Sequence, residues 1–238
     1  MAALADGVST GGLGLEAAQT TVMTLVEDWY GTPATWDPTV ALDRVILAHN
    51  AWLVDHNRRR ERLEGKAAQT GTCTLTAVVL RAHGFTLAHV GDSRAYLVRA
   101  DECTQLTADH SRVAEMVRMK ILTPEEAVAH PARNQLTRSL GTDLAVQVDL
   151  TRTPVEQADT IVLCTDGIWD VVSRVDIAEA IASMGGDRPS PVAAVDQLIE
   201  MALKRGASDN VTALTVTMTS ALPIPAAAGR RFFRRGRP

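Results

Sequence analysis

Aromatic side chains are scarce in this 238-residue chain, which has three Phe, two Tyr and four Trp. A core must therefore rest on Ala, Val, Leu and Ile, and with 46% hydrophobic residues there is enough of them for one sizeable domain. Cysteine is sparse too. Cys73, Cys103 and Cys164 are odd in number and widely spaced, which argues against a disulfide framework or a zinc site. Each lies in or beside an apolar run and reads as a buried thiol. No apolar stretch approaches a membrane span, and no basic segment leads into one near the start, so the expected location is cytoplasmic. A strong charge of either sign is also lacking: the net value is −4, which makes no case for nucleic acid. That average hides Arg230, Arg231, Arg234, Arg235 and Arg237, without which the rest of the chain carries about −9.

What is there alternates between two periodicities. Residues 2–5 read as the end of a strand, Ser9 to Gly14 as a glycine-rich loop, and Leu15 onward as a helix with Ala18, Val22, Leu25, Val26 and Trp29 on one face. Thr32-Pro33 stops it. A second helix follows, ending in the basic run Arg58 to Arg60, a solvated face. From Gly71 the pattern turns to short β-branched runs: Thr72 to Leu80, Phe85 to Val90 and Ala95 to Arg99. With turns at His83-Gly84 and Gly91-Asp92-Ser93, these read as an antiparallel meander. A helical segment with Val113, Met116 and Val117 leads to a second start signal at Thr123-Pro124-Glu125-Glu126. Strands are expected at 145–150, 160–164 and 211–217, and helices at about 175–183 and 190–204. The sum is an α+β domain of packed sheets with helix pairs outside, over residues 1–220. Residues 221–238 read as a basic, disordered tail. Contact of that tail with anionic membrane or an acidic partner, helped by Phe232 and Phe233, is its other reading.

Three aspartates carry the chemistry. Asp6 in Ala-Leu-Ala-Asp-Gly and Asp166 in Leu-Cys-Thr-Asp-Gly each end a short apolar run, and Asp209 in Ala-Ser-Asp-Asn-Val precedes one. Carboxylates at strand ends suit a hard divalent cation, because like charges brought together raise one another's pKa unless a cation compensates. Taken singly, each Asp-Gly is also a common turn.

In order along the chain come Ala5-Asp6-Gly7, Gly71-Thr72, His89-Val90-Gly91-Asp92-Ser93-Arg94-Ala95-Tyr96 and Asp109-His110-Ser111. Asn134-Gln135-Leu136-Thr137-Arg138-Ser139-Leu140-Gly141, Cys164-Thr165-Asp166-Gly167 and Ser208-Asp209-Asn210 complete the series. This series resembles the bacterial branch of the metal-dependent serine/threonine protein phosphatases, the type 2C or PPM family. The resemblance implies a four-layer αββα fold, an antiparallel β-sandwich between helix pairs, with its first strand truncated here. It implies two Mn²⁺ or Mg²⁺ ions and a weaker third. Asp6 would bridge the first two with the Gly7 carbonyl beside it, Asp166 and Asp209 would complete the set, and Asp109 would help hold the third. The other reading of Asp109 is a helix cap before His110. Residues 110–133 correspond to the family's flap, Asp92 to a turn-stabilising aspartate, and Asn210 to a residue orienting the loop around Asp209.

The implied reaction is hydrolysis of phosphoserine or phosphothreonine in proteins by a metal-activated water, opposing a serine/threonine kinase, with a monomer expected. The family also carries an upstream strand with a phosphate-gripping arginine and an Asn-Glu-Asp segment. Only Met1 to Ala5 precede Asp6, so neither can be assigned. Val8 stands where many members have a histidine and cannot transfer a proton. His110 reads as part of a helix start and His89 as a packed core residue, while His49, His56, His83 and His130 have no identifiable partner. An active phosphatase and a catalytically impaired domain that binds phosphoproteins or partners are therefore both expectations of the sequence.

Overall fold

The computed structural model describes residues 1–8, 13–65, 70–81, 84–183 and 191–219. Of the loop expected over Ser9 to Gly14, residues 9–12 lie outside the described residues, as do His83 of the expected turn and the basic tail at 221–238, while Leu13 and Gly14 already belong to a helix. Two four-stranded antiparallel sheets face each other. The first is built, in spatial order, from β1 (Ala2–Leu4), β2 (Leu75–Arg81), β3 (Gly84–Val90) and β6 (Asp149–Thr153). The second runs β5 (Glu102–Gln105), β4 (Arg94–Arg99), β7 (Thr160–Cys164) and β8 (Ala213–Thr217). Helices α1 (Leu13–Gly31) and α2 (Pro38–Glu64) cover the first sheet. The second is covered by α5 (Asp166–Trp169), α6 (Arg174–Ala182) and α7 (Pro191–Lys204), and the short α3 (Arg112–Arg118) and α4 (Pro124–Val128) stand apart in the segment 110–133. Among the described residues no helix is long and apolar enough to cross a membrane.

The four layers follow from the period-2 alternation of strands buried on both faces. Leu75, Ala77 and Val79 of β2 turn toward α1 and α2, where they meet Leu25, Leu42, Ile46 and Leu53. Val78 points the other way, joining Phe85, Leu87, Ala95, Leu97, Ile161 and Leu163 between the sheets. Tyr96, Val98, Val162 and Cys164 then pack outward against Ile168, Ile177, Ile181 and Leu198. With few aromatics, three thin aliphatic layers replace one thick core. Cys73 and Cys164 are buried free thiols, as expected, and Cys103 is half-buried.

Two expectations are corrected. The meander does not exist: β2 and β3 pair as a hairpin, but β4 lies in the opposite sheet, against β5 and β7. Gly91-Asp92-Ser93 is thus a crossing between sheets rather than a hairpin turn, which sets Asp92 at one end of the sandwich. The strand expected at 145–150 begins at Asp149, because β3 offers partners only from Phe85 to His89. Val146 and Val148 pack on the α1–α2 core without joining the ladder. Finally, β5 and the single-turn α5 had no counterpart in the sequence reading.

Candidate metal centre and adjoining cleft

The ends of β1, β7 and β8 nearest the crossing present the three aspartates. Asp6 is held on both sides of its peptide: its N–H donates to Thr74 Oγ1 at 3.0 Å, and its carbonyl accepts from the Thr74 N–H at 2.8 Å. Thr74 Oγ1 in turn lies 2.9 Å from Ser93 Oγ, so the crossing loop and the Asp6 turn share one buried hydroxyl. Gly7 is required by a neighbouring backbone, since a Cβ there would stand 2.3 Å from the carbonyl carbon of Gly14 in α1.

A second close approach joins the other two aspartates. A Cβ on Gly167 would stand 2.3 Å from the Asn210 carbonyl oxygen. The Thr165 hydroxyl donates to that same carbonyl at 3.1 Å and accepts from the Thr212 N–H at 3.2 Å. The Asn210 N–H donates to Asp209 Oδ1 at 2.7 Å, which keeps Asp209 beside the Asp166 turn. Asn210 therefore orients the Asp209 loop through its backbone.

The carboxylates are coupled electrostatically. Burial, then Asp166 and Asp209, push Asp6 up to about 6. Burial and Asp209 raise Asp166 as well. Asp92 is pushed up to about 7 by burial and by Asp166, Asp109 and Asp6, so it belongs to the same field. Asp166 Oδ1 is buried and without a hydrogen-bond partner. An unpartnered carboxylate oxygen amid carboxylates that raise one another's pKa is chemistry a cation would offset, and all-oxygen donors suit Mg²⁺ or Mn²⁺. As they stand, no three His, Cys, Asp or Glu side chains among the described residues are gathered tightly enough to hold an ion.

Asp109 is placed differently from the other three. Arg94 grips it through two nitrogens, Nε to Oδ1 at 3.0 Å and Nη2 to Oδ2 at 2.7 Å. The same guanidinium lies over Trp169, its Cζ 3.6 Å from the ring centre, and the indole N–H donates to the Asp92 carbonyl at 3.0 Å. Helix α3 is capped by Ser111 rather than Asp109, with Ser111 Oγ accepting from the Ala114 N–H.

His110 ties the segment 110–133 to the crossing loop. Its N–H donates to the Gly91 carbonyl at 2.8 Å, and the Gly91 N–H donates to its Nδ1 at 3.1 Å. That assigns the proton to Nε2, which lies 3.2 Å from Asp149 Oδ2. His89 lies buried with its ring tilted against that of His110, centroids 4.8 Å apart, and meets Thr76 through Nδ1, which bears out its core role.

Between this segment and the carboxylates lies a cleft of about 430 Å³. Its floor carries Asp92, Asp166, Trp169 and Asp170, and its opposite wall carries Val113, Val117 and Ala127. Arg133 reaches across its mouth to Asp170 at 3.1 Å. The sequence reading had assigned no part to Trp169, Asp170 or Arg133. The spacing of Asp166, Trp169 and Asp170, three and four residues apart, was the available signal, because such residues share one helix face.

The protein phosphatase 2C family model matches residues 35–211. The chain belongs to the protein phosphatase 2C family. It is 36% identical over 210 residues to the serine/threonine protein phosphatase PstP of Mycobacterium tuberculosis, an alignment covering 88% of this chain and 38% of PstP. It is 33% identical over 221 residues to the serine/threonine phosphatase stp of Listeria innocua, covering 90% of this chain and 82% of that one. A solved catalytic domain of PstP in complex with two manganese ions superposes with a TM-score of 0.75 at 33% identity, over 91% of this chain and 86% of that one. The two antiparallel sheets between helices are thus the family fold expected from the sequence.

Proposed function

We propose that this 2C-family chain is a metal-dependent phosphatase that hydrolyses phosphoserine and phosphothreonine in proteins, with Asp6, the Gly7 carbonyl, Asp166 and Asp209 as its ligands for two Mn²⁺ or Mg²⁺ ions. The observation that carries the ligand assignment is the buried, unpartnered Oδ1 of Asp166 beside carboxyls that raise one another. When bound, such ions activate water for attack on phosphorus and offset charge on the phosphoryl oxygens. The chain's own residues do the positioning. Thr74 and the backbone of Gly14 hold the Asp6 turn, Asn210 and Thr165 hold Asp166 against Asp209, and the apolar wall of the cleft limits water.

Asp92 stands in the same field as a further carboxylate. Asp109, at the family's third-metal position, is bound to Arg94 and would have to release it to take an ion. Val8 has no titratable proton, so protonation of the leaving alkoxide falls to solvent. A serine/threonine kinase that installs the phosphate is the counterpart this activity implies. No comparison supports the alternative of a binding-only domain.

The test is Mn²⁺-dependent release of phosphate from a phosphothreonine peptide. Asp166→Asn should abolish it while the metal-free variant melts higher than the parent, because one of the mutually repelling carboxylates is gone. Turnover that survives both chelation and Asp166→Asn would end the proposal.

A further inference from the structure

At the end of the second sheet away from the carboxylates, a groove of about 520 Å³ runs between the edge strand β5 and helix α6. Cys103, Val175, Ala178 and Ala182 give it an apolar floor, on which Val175 stands 66% exposed. Asp101, Glu102 and Glu179 rim it, against the single cation Arg174. None of the three carboxylates has an ion-pair partner among the described residues, whereas Glu156 and Asp159 at the same end are held by Arg99. An apolar floor with an acidic rim suits a basic segment that carries aromatic anchors, since arginine and the aromatics gain most at such contacts. The chain has one such segment, Arg230-Arg231-Phe232-Phe233-Arg234-Arg235, with Arg237 beyond it.

Strand register fixes the distance that segment has to cover. Thr217 pairs with Thr160, Thr160 with Val98, and Val98 with Cys103, so the end of β8 and the groove lie in one row across the sheet. Three strand spacings separate them, about 14 Å. The Met218 N–H donates to the Asp159 carbonyl at 2.8 Å, which ties down the point from which the chain departs. A chain of about 15 residues, the separation of Thr217 and Phe232, can span about 50 Å at full stretch. Tethering at such range supplies an effective concentration on the order of 1 mM. A contact with a dissociation constant of only about 0.1 mM between separate molecules is then about nine-tenths formed.

We infer that the groove between β5 and α6 is the docking site of this chain's own basic segment, residues 230–237, with the phenylalanines on the apolar floor and the flanking arginines on Asp101, Glu102 and Glu179. Docking there leaves the cleft beside Asp166 open, so the segment does not plug the candidate metal centre. Docked, it withholds five arginines and two phenylalanines from every other acidic surface, a membrane or a partner protein included.

The experiment is amide hydrogen exchange on the full chain in Mn²⁺ buffer, set against a free peptide of residues 226–238. At low salt the amides of residues 231–235 should exchange about 10-fold more slowly than in the peptide, whatever the protein concentration. In about 1 M salt the difference should fall to about twofold or less, because the charge contacts are screened. Glu102→Lys with Glu179→Lys, and separately Val175→Lys, should each return the segment to the peptide's rate. Val192→Lys, at a valine 68% exposed on α7 and outside the groove, should match the parent. Amides of the buried strands β2 and β7 in the same data report the fold of each variant. Exchange at the peptide's rate in the parent overturns the inference. So does protection that persists in both groove variants, which would seat the segment elsewhere, the cleft included. Protection that rises with protein concentration, or that appears only with anionic phospholipid vesicles, overturns it equally.

Discussion

Gly167→Ala tests the contact that holds two of the proposed metal ligands, Asp166 and Asp209, side by side. The added methyl would stand 2.3 Å from the Asn210 carbonyl oxygen and 3.0 Å from its carbon, and both atoms are backbone, so no side chain can swing aside. Ordinary contact begins near 3.4 Å, which means the Asp166 turn and the Asp209 loop must part by about 1 Å. Overpacking of this kind costs about 1–3 kcal/mol of stability. If the two aspartates share a metal as proposed, a displacement of about 1 Å between them costs on the order of a hundredfold in rate. The Thr165 hydroxyl bond to the Asn210 carbonyl would stretch with it. The control is Gly31→Ala at the end of α1, where a Cβ meets nothing within 4 Å and the gain in helix propensity makes the change neutral or stabilising. Thermal unfolding gives the stability arm, and Mn²⁺ calorimetry with peptide turnover gives the functional arm. If Gly167→Ala keeps Mn²⁺ affinity within twofold and turnover within fivefold of the parent, then apposition of the two turns does not set the geometry of the centre.

Arg94→Ala should cost about 3–5 kcal/mol in chemical denaturation, because it strands the half-buried Asp109 carboxylate and uncovers Trp169. Arg94→Lys should not rescue it, since an ammonium can neither grip two oxygens in a fork nor stack on the indole, and full recovery would refute that account. Asp159 gives the pH dependence. Burial pushes its carboxyl up, but the Arg99 hydrogen bonds at 2.9 and 2.8 Å, the Glu156 N–H and the Arg99 charge outweigh this and hold it below the usual range. A depressed folded pKa contributes stability that is fully present above the unfolded value, about 3.9, and is lost as pH falls through the folded one. Asp159→Asn should therefore lower the melting temperature at neutral pH and flatten its fall below about pH 4. An unchanged acid limb would count against the pair.

Much of the fold was legible because its signals are local. The apolar stripe of α1 stops at Thr32-Pro33, the β2–β3 hairpin follows from two β-branched runs, and Thr123 with Glu126 forms the capping box its sequence announces. β5 was not legible. Its residues Glu102 to Gln105 alternate between exposed and half-buried at a sheet edge, with no apolar face to read. The false meander has a sharper cause. Gly91-Asp92-Ser93 carries the same turn chemistry whether the chain folds back in its own sheet or crosses to the other, and both faces of β4 are apolar, so alternation cannot choose.

The aspartates divide along the same line. Residue order and turn chemistry determined by themselves that Asp6, Asp166 and Asp209 end or begin strands, that the core is aliphatic, and that the chain resembles the family to which it belongs. Only the tertiary structure decided that Gly7 and Gly167 are demanded by the backbones of Gly14 and Asn210, that Asp92 shares the field of the three, and that Arg94 holds Asp109. The physical reason is that these are contacts between segments far apart in sequence. A carboxylate's pKa, a glycine's necessity and an arginine's availability are set by what lies across the gap.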